Sequence, residues 1–476
     1  MATTGVEERG LERTLGTWAV FVAGVGLVVA TSTLVSDFVG YFSVGVNFFT
    51  SLIIAFLINL FLGLSASELS TTYPKAGALY EYGAAAMPRE SLGTIVGLFL
   101  AFTFYGMFAI VGPLEFGAGA RGLQAFFNAS GSLWPWIVIM VVLATIPNLL
   151  HVKQMAIVEA FTLVGMLGLR WFFGLAGFAG FSRVGGWSAA NWDVGVGLFD
   201  WSTALTVLAL SYWSFVGIEF VCPLAEEVRD PRRSLPIGIV LGLLAILATS
   251  LFMAPGVAGT QPVSKWAELA LGPAGCDGNC PQLAVGEAMF GGAGRGAMAF
   301  ASVLATYTSM TIVLAAMPRI LYGAARDGHF FGPLSRAFAW LHPRFRSPWV
   351  AILVTAALYI AVTIPFNQVV DMIFSAAYAW VILYVIWHVL VIVSRFTNPH
   401  AERPFRLPLV VPVIGIAGTI LALYYAYAGA HGIYGVRSLW VFGGALVAAL
   451  ISYGLRGTSG IERRPAEAEL AGEAGS

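Results

Sequence analysis

Charge is scarce in this sequence. Asp, Glu, Lys and Arg make up 11% of its 476 residues and apolar side chains 58%, whereas a soluble domain is about one-quarter charged. An ordinary water-soluble globule is therefore excluded. The charges present balance at 25 Lys+Arg and 25 Asp+Glu, so there is no basic excess for nucleic acid and no acidic solvating tail. Histidine is thin as well, at positions 151, 329, 342, 388, 400 and 431. That scatter argues against a membrane enzyme, which needs clustered catalytic groups or metal ligands near one face. No phosphate-binding loop appears, so ATP-driven pumping is unsupported and no cofactor is implied. A channel would want a continuous polar stripe, and none is found.

Cysteine is almost absent. Cys222 falls in an apolar run, and Cys276 and Cys280 lie in the segment GPAGCDGNCPQ. Two thiols in a Gly/Pro/Asn-rich turn with no nearby histidine argue against zinc; a small disulfide and two free thiols both remain open.

Long apolar runs are what the chain has in abundance. A spanning helix needs about 20 largely apolar residues, because lipid cannot satisfy backbone N–H and C=O groups. Twelve segments qualify, near 16–39, 46–68, 93–127, 133–150, 156–181, 201–226, 235–258, 294–326, 348–366, 369–394, 409–430 and 436–456. The stretch before Trp18 carries Glu7, Glu8, Arg9, Glu12 and Arg13 with no small-residue cleavage site, so no signal peptide is read and the first span stays. The expectation is an all-α integral membrane protein of twelve transmembrane helices. It has one membrane domain over 1–456, opening on a short segment 1–15, and a polar tail over 457–476. With both termini cytoplasmic, alternate loops hold 19 of the 25 cations, the asymmetry of a multi-pass plasma-membrane protein. The apolar and basic stretch FFGPLSRAFAWLHP predicts a short amphipathic helix at the interface.

Two spans are interrupted. The first reads GVGLVVATSTLVSDF and the sixth SYWSFVGIEF, which carries Gly217 and the carboxylate of Glu219. Small and hydroxyl residues can serve close helix packing, but interruptions five spans apart place the second copy of an odd-numbered repeat upside down. Paired broken helices in inverted halves mark a midplane site in secondary transporters.

The same residues carry a resemblance. The stretch YWSFVGIEFVCPLAEEVRDPRRSLPIGI (212–239) resembles the sixth-span signature of the amino acid-polyamine-organocation permeases. SASELSTTYPKAGALYEY (65–82), PRILYGAARDGHFFGPLSRAFAWLHPRFRSP (318–348) and ERPFRLP (402–408) are similar to that family's second-span end, eighth-span exit and eleventh-span entry. The resemblance implies a LeuT-type fold: inverted five-helix repeats over about 16–181 and 201–394, and two peripheral helices over about 409–456. It also implies a small-molecule substrate, an amino acid or an amine such as ethanolamine or a polyamine, bound between helices one and six. The family's Gly-Ser-Gly turn falls near Ala30, Thr31 and Ser32, with Thr33 following, so hydroxyls stand where glycine is usual. Trp213 would cap the substrate; Phe215, Gly217 and Ile218 would line the unwound segment. Glu219 would either tie the broken helix to its surroundings or contact substrate or a proton.

Other polar groups are less informative. Glu115 and Arg170 fall in outward halves of spans three and five, as a buried bridge or, for Glu115, a partner for a cationic group. Glu159 and His388 receive no role. Glu226, Glu227, Arg229, Asp230, Arg232 and Arg233 form a mixed-charge loop that either latches against Arg326 or Asp327 or stays solvated. Arg403 and Arg406 are read as headgroup anchors. For coupling, hydroxyls of Thr308 and Ser309 with the Gly26 carbonyl could hold sodium; proton coupling and exchange stay equally open. Oligomeric state is not readable from the sequence, and membrane lipid is the other expected partner.

Overall fold

The computed structural model describes residues 10–197, 199–365, 369–429 and 433–461. The first nine residues and the tail from 462 onward, including Arg463 and Arg464, lie outside them. The described residues are helical, with one isolated β-bridge between Leu15 and Val228. The helices are α1 (Thr17–Val28), α2 (Thr31–Val44), α3 (Asn47–Thr72), α4 (Leu79–Ala86), α5 (Glu90–Gly106), α6 (Phe108–Phe126), α7 (Trp134–Thr145) and α8 (Val152–Phe178). The second half continues with α9 (Trp201–Thr206), α10 (Leu208–Trp213), a 3₁₀ segment Ile218–Glu227, α11 (Pro231–Ala258), α12 (Val263–Leu271), α13 (Pro281–Phe290) and α14 (Gly292–Arg326). It ends with α15 (Leu334–Phe338), α16 (Trp349–Thr363), α17 (Val369–Thr397), α18 (Val410–Gly429) and α19 (Ile433–Leu455).

Among the described residues, nine helices, counting runs such as Glu90–Phe126 as one, are long and apolar enough to cross a bilayer, and α1 with α2 makes a tenth bent by 55°. Two shorter apolar helices, Trp134–Leu149 and Trp349–Thr363, lie where two further spans are expected. The chain is a multi-pass membrane protein. Its outer faces agree: on α8, Phe161, Val164, Phe172 and Leu175 are all more than half exposed, a stripe that water would not tolerate and lipid would.

α14 runs through the middle of the bundle and packs on α1, α6, α8 and α13. α18 lies against α3 and α17, and α19 against α5 and α17, both on the outside. α8 and α11 cross where small residues allow it: a Cβ on Gly177 would lie 2.0 Å from the Gly256 carbonyl oxygen.

The interrupted span expected over 201–226 is built from α9, α10 and a 3₁₀ segment, and its stretch Leu208–Glu227 is long and apolar enough to cross a bilayer. Two expectations need correction. The predicted amphipathic helix shrinks to the five residues of α15, with Ser335 and Phe338 buried. Arg403 is no headgroup anchor: its side chain is 6% exposed, donates to the Ser394, Asn398 and Ala401 carbonyls, and stands 3.8 Å from Glu68. The long loop over 259–293 folds into α12 and α13, joined by a turn that the Cys276–Cys280 disulfide closes.

Candidate functional site

The first interruption is two residues long. α1 ends at Val28, Ala30 is fully extended, and α2 starts at Thr31. Two β-branched valines and, after Ala30, a Thr-Ser-Thr run favour this break, since such hydroxyls compete for backbone partners at helix starts. Each hydroxyl then ties the new helix to a different neighbour. Thr31 bonds the Ser302 carbonyl at 2.7 Å and the Thr306 hydroxyl at 2.9 Å, both on α14. Ser32 donates to Glu115 on α6 and accepts from the Trp213 indole N–H at 2.8 Å. Thr33 turns back to the Ala30 carbonyl at 2.8 Å. The carbonyls of Val29 and Ala30, freed by the break, accept the Arg170 guanidinium at 3.1 and 2.5 Å.

The second interruption follows Trp213. Gly217 sits at φ +117°, and a Cβ there would come within 2.2 Å of Leu27 Cδ2, so both backbone and space demand glycine. Its N–H donates to Glu219 Oε2 and to the Tyr384 hydroxyl oxygen, each at 3.2 Å. Glu219 accepts two further hydrogen bonds: Trp380 Nε1 donates to Oε1 at 2.8 Å and the Tyr384 hydroxyl to Oε2 at 2.6 Å. In this structure Glu219 fastens the broken helix to α17.

The two breaks meet at a small cavity whose lining residues are all buried. Of the predicted residues, Ala30, Ser32, Thr33, Trp213, Gly217 and Ser309 line it. Thr31, Phe215, Ile218 and Glu219 do not: Phe215 packs on Phe56 with ring centroids 5.9 Å apart, and Ile218 points toward Gly24. Thr308 bonds Thr162 at 2.9 Å and lies against Gly26, away from Ser309 and the cavity. The sequence did not single out Leu27, Val28, Val111, Val216, Phe220, Val313 and Trp380, which supply an apolar wall. Glu115 also lines the cavity, with Oε2 lacking a hydrogen-bond partner. No ion pair joins it to Arg170 among the described residues; Arg170 instead turns Nη2 to the helix-one carbonyls.

A family model described as Amino acid permease matches residues 15–451. The chain belongs to that family. It is 24% identical over 443 residues to a branched-chain amino acid permease of Bacillus subtilis, covering 87% of this chain and 88% of the relative. A methylthioribose transporter of the same organism is 23% identical over 482 residues, 94% and 95% of the two chains. A serine/threonine exchanger, also from Bacillus subtilis, is 22% identical over 425 residues, 88% and 92%.

This permease is shut at its cation-rich end. Residues 14–15 lie along the end of the 3₁₀ segment: the amides of Thr14 and Leu15 donate to the Glu227 carbonyl at 2.9 Å, and the Arg229 amide to the Leu15 carbonyl at 2.9 Å. Arg319 pairs with Glu227, and Arg326 with Glu226 at 3.0 Å and Glu81 at 3.2 Å. Glu226 and Glu227 thus latch the mixed-charge loop to Arg326 and Arg319, while Arg232 pairs with the exposed Glu402.

Proposed function

We propose that this protein is a secondary active transporter that moves an amino acid across the plasma membrane by alternating access. Its cation-rich end and both termini would be cytoplasmic, and its spans would form two inverted five-helix repeats. The substrate would bind where the interrupted helices one and six meet. The observation that carries this reading is the small cavity at that junction, lined by buried residues of both interrupted helices, together with the ion pairs and backbone bonds that hold the cation-rich end closed. A site buried between two helices that each have a joint can open to either side without dismantling the bundle. The cavity wall is apolar apart from Ser32, Thr33, Ser309 and Glu115, which favours a neutral, aliphatic side chain. Similarity to a branched-chain permease supports the same choice.

One observation favours an amine as a second reading. The Glu115 carboxylate already sits at the start of α2, on the Ser32 hydroxyl and beside the amides of Thr31 and Ser32. That is where the helix dipole would otherwise stabilise a substrate carboxylate. Its open Oε2 is suited to an ammonium group.

Uptake into proteoliposomes decides between them. With the protein reconstituted, radiolabelled leucine should enter and exchange, and radiolabelled isoamylamine, its decarboxylated form, should not. Uptake of the amine without uptake of leucine would replace the first reading with the second. No uptake or exchange of either would remove both.

A further inference from the structure

Below the central cavity, toward the cation-rich end, α8 carries another buried carboxylate. Glu159 is fully buried, and neither of its oxygens has a hydrogen-bond partner. It borders a separate small cavity together with Val22 and Ala23 of α1, Met155 of α8, Leu224 of the 3₁₀ segment and Ile312 of α14. α1 passes close over it, since a Cβ on Gly26 would lie 3.8 Å from Oε2.

The groups facing Glu159 can be named element by element. α1 offers alanine, valine and glycine. The 3₁₀ segment offers Leu224, while its charged Glu226 and Glu227 are bound to Arg326 and Arg319. α14 offers the Thr311 hydroxyl and the Tyr307 phenol, with Thr308 engaged by Thr162. No cation pairs with Glu159 among the described residues. An ionised carboxylate without a partner is expensive at such a site, and the neutral acid is not.

We propose that Glu159 is the proton site that couples transport to the proton gradient. It holds a proton while α1 lies over it and releases that proton to the cytoplasm when α1 swings away and water enters. Proton occupancy then biases the equilibrium between the closed and inward-open forms, which is the requirement for coupling. The inference rests on the transport reading above. It gives the proton a place distinct from Glu219, whose two oxygens already accept three hydrogen bonds.

The test uses full-length protein in sodium-free proteoliposomes with radiolabelled leucine. A pH gradient of one unit, acid outside, should drive wild-type accumulation of up to about tenfold for one proton per substrate. Glu159→Gln should accumulate nothing beyond equilibrium while keeping leucine counterflow within about twofold of wild type. Glu159→Asp, which retains the ionisable group, should still respond to the gradient, and it carries the test if the glutamine variant does not fold. Gradient-driven accumulation by Glu159→Gln would overturn the proposal. So would counterflow by Glu159→Asp with no response to pH, or a wild type that shows counterflow but no accumulation under the pH gradient. A wild type without any counterflow would instead overturn the transport reading.

Discussion

Arg319 and Glu227 form a two-pronged ion pair, Arg319 Nη2 meeting Glu227 Oε1 at 3.0 Å and Nε meeting Oε2, with side chains only 3% and 2% exposed. A pair this deep differs from the surface bridges that contribute little. Removing one partner strands the other charge, at a cost of about 3–5 kcal/mol, whereas removing both can be nearly neutral. The Glu227 backbone carbonyl also receives Thr14 and Leu15, so the same residue holds the amino-terminal strap.

Arg319→Met should therefore loosen the cation-rich end. Cys222 reports this, being the one free cysteine among the described residues and fully buried in the 3₁₀ segment. Its alkylation by N-ethylmaleimide at fixed pH should be at least about tenfold faster in Arg319→Met than in wild type. The double variant Arg319→Met, Glu227→Met should return close to the wild-type rate. Equal rates in all three would show that the pair does not hold this end shut.

Glu219→Gln tests whether that carboxylate acts as a fastener. Its amide would present N–H groups to donors that need an acceptor, and hydrogen bonds to a charged group contribute about 1.5–3 kcal/mol each. The variant should melt earlier in detergent, Tyr384→Phe should melt earlier by a smaller amount, and the two losses should not add. Independent, additive losses would mean that Glu219 and Tyr384 do not act through one another.

Helix breaks were legible in the sequence because they are local: Val-Val before Thr-Ser-Thr, and a glycine amid bulky residues, state their conformational preference within a few positions. The latch was half legible, since opposite charges in loops announce partners without saying which. Glu115 and Arg170 mislead because depth along a helix says nothing about rotation, and the guanidinium turned to backbone carbonyls that exist only once helix one is broken. Trp380 and Tyr384 left no signal, being aromatic residues in an apolar run. Glu159 looked like any satisfied core group until its neighbours could be counted.

Glu115→Gln probes the cavity itself. If Oε2 receives the substrate ammonium, loss of the charge should raise the half-saturation concentration for the transported substrate by about ten- to a hundredfold. Expression and melting temperature should change little, because glutamine keeps an acceptor for Ser32. An unchanged half-saturation concentration would place the ammonium elsewhere.

The pH dependence of the latch has a definite sign. Glu81 on α4 is buried between Lys75 at 4.0 Å and Arg326 at 3.2 Å. Burial, reinforced by the negative charge of Asp327, pushes its carboxyl from 4.5 up to about 7. The folded, latched protein thus binds this proton more tightly than the unfolded chain does. Where the native state holds more protons, stability falls as pH rises. The contribution is complete below about 4.5 and lost as pH climbs through about 7. Melting temperatures of wild type and Glu81→Gln, measured together in detergent from pH 5 to pH 8, should diverge. Wild type should fall relative to the variant, whose amide keeps the neutral form's contact with Arg326 at every pH. Parallel curves would mean that Glu81 is already ionised at pH 5 and that Arg326, not burial, governs it.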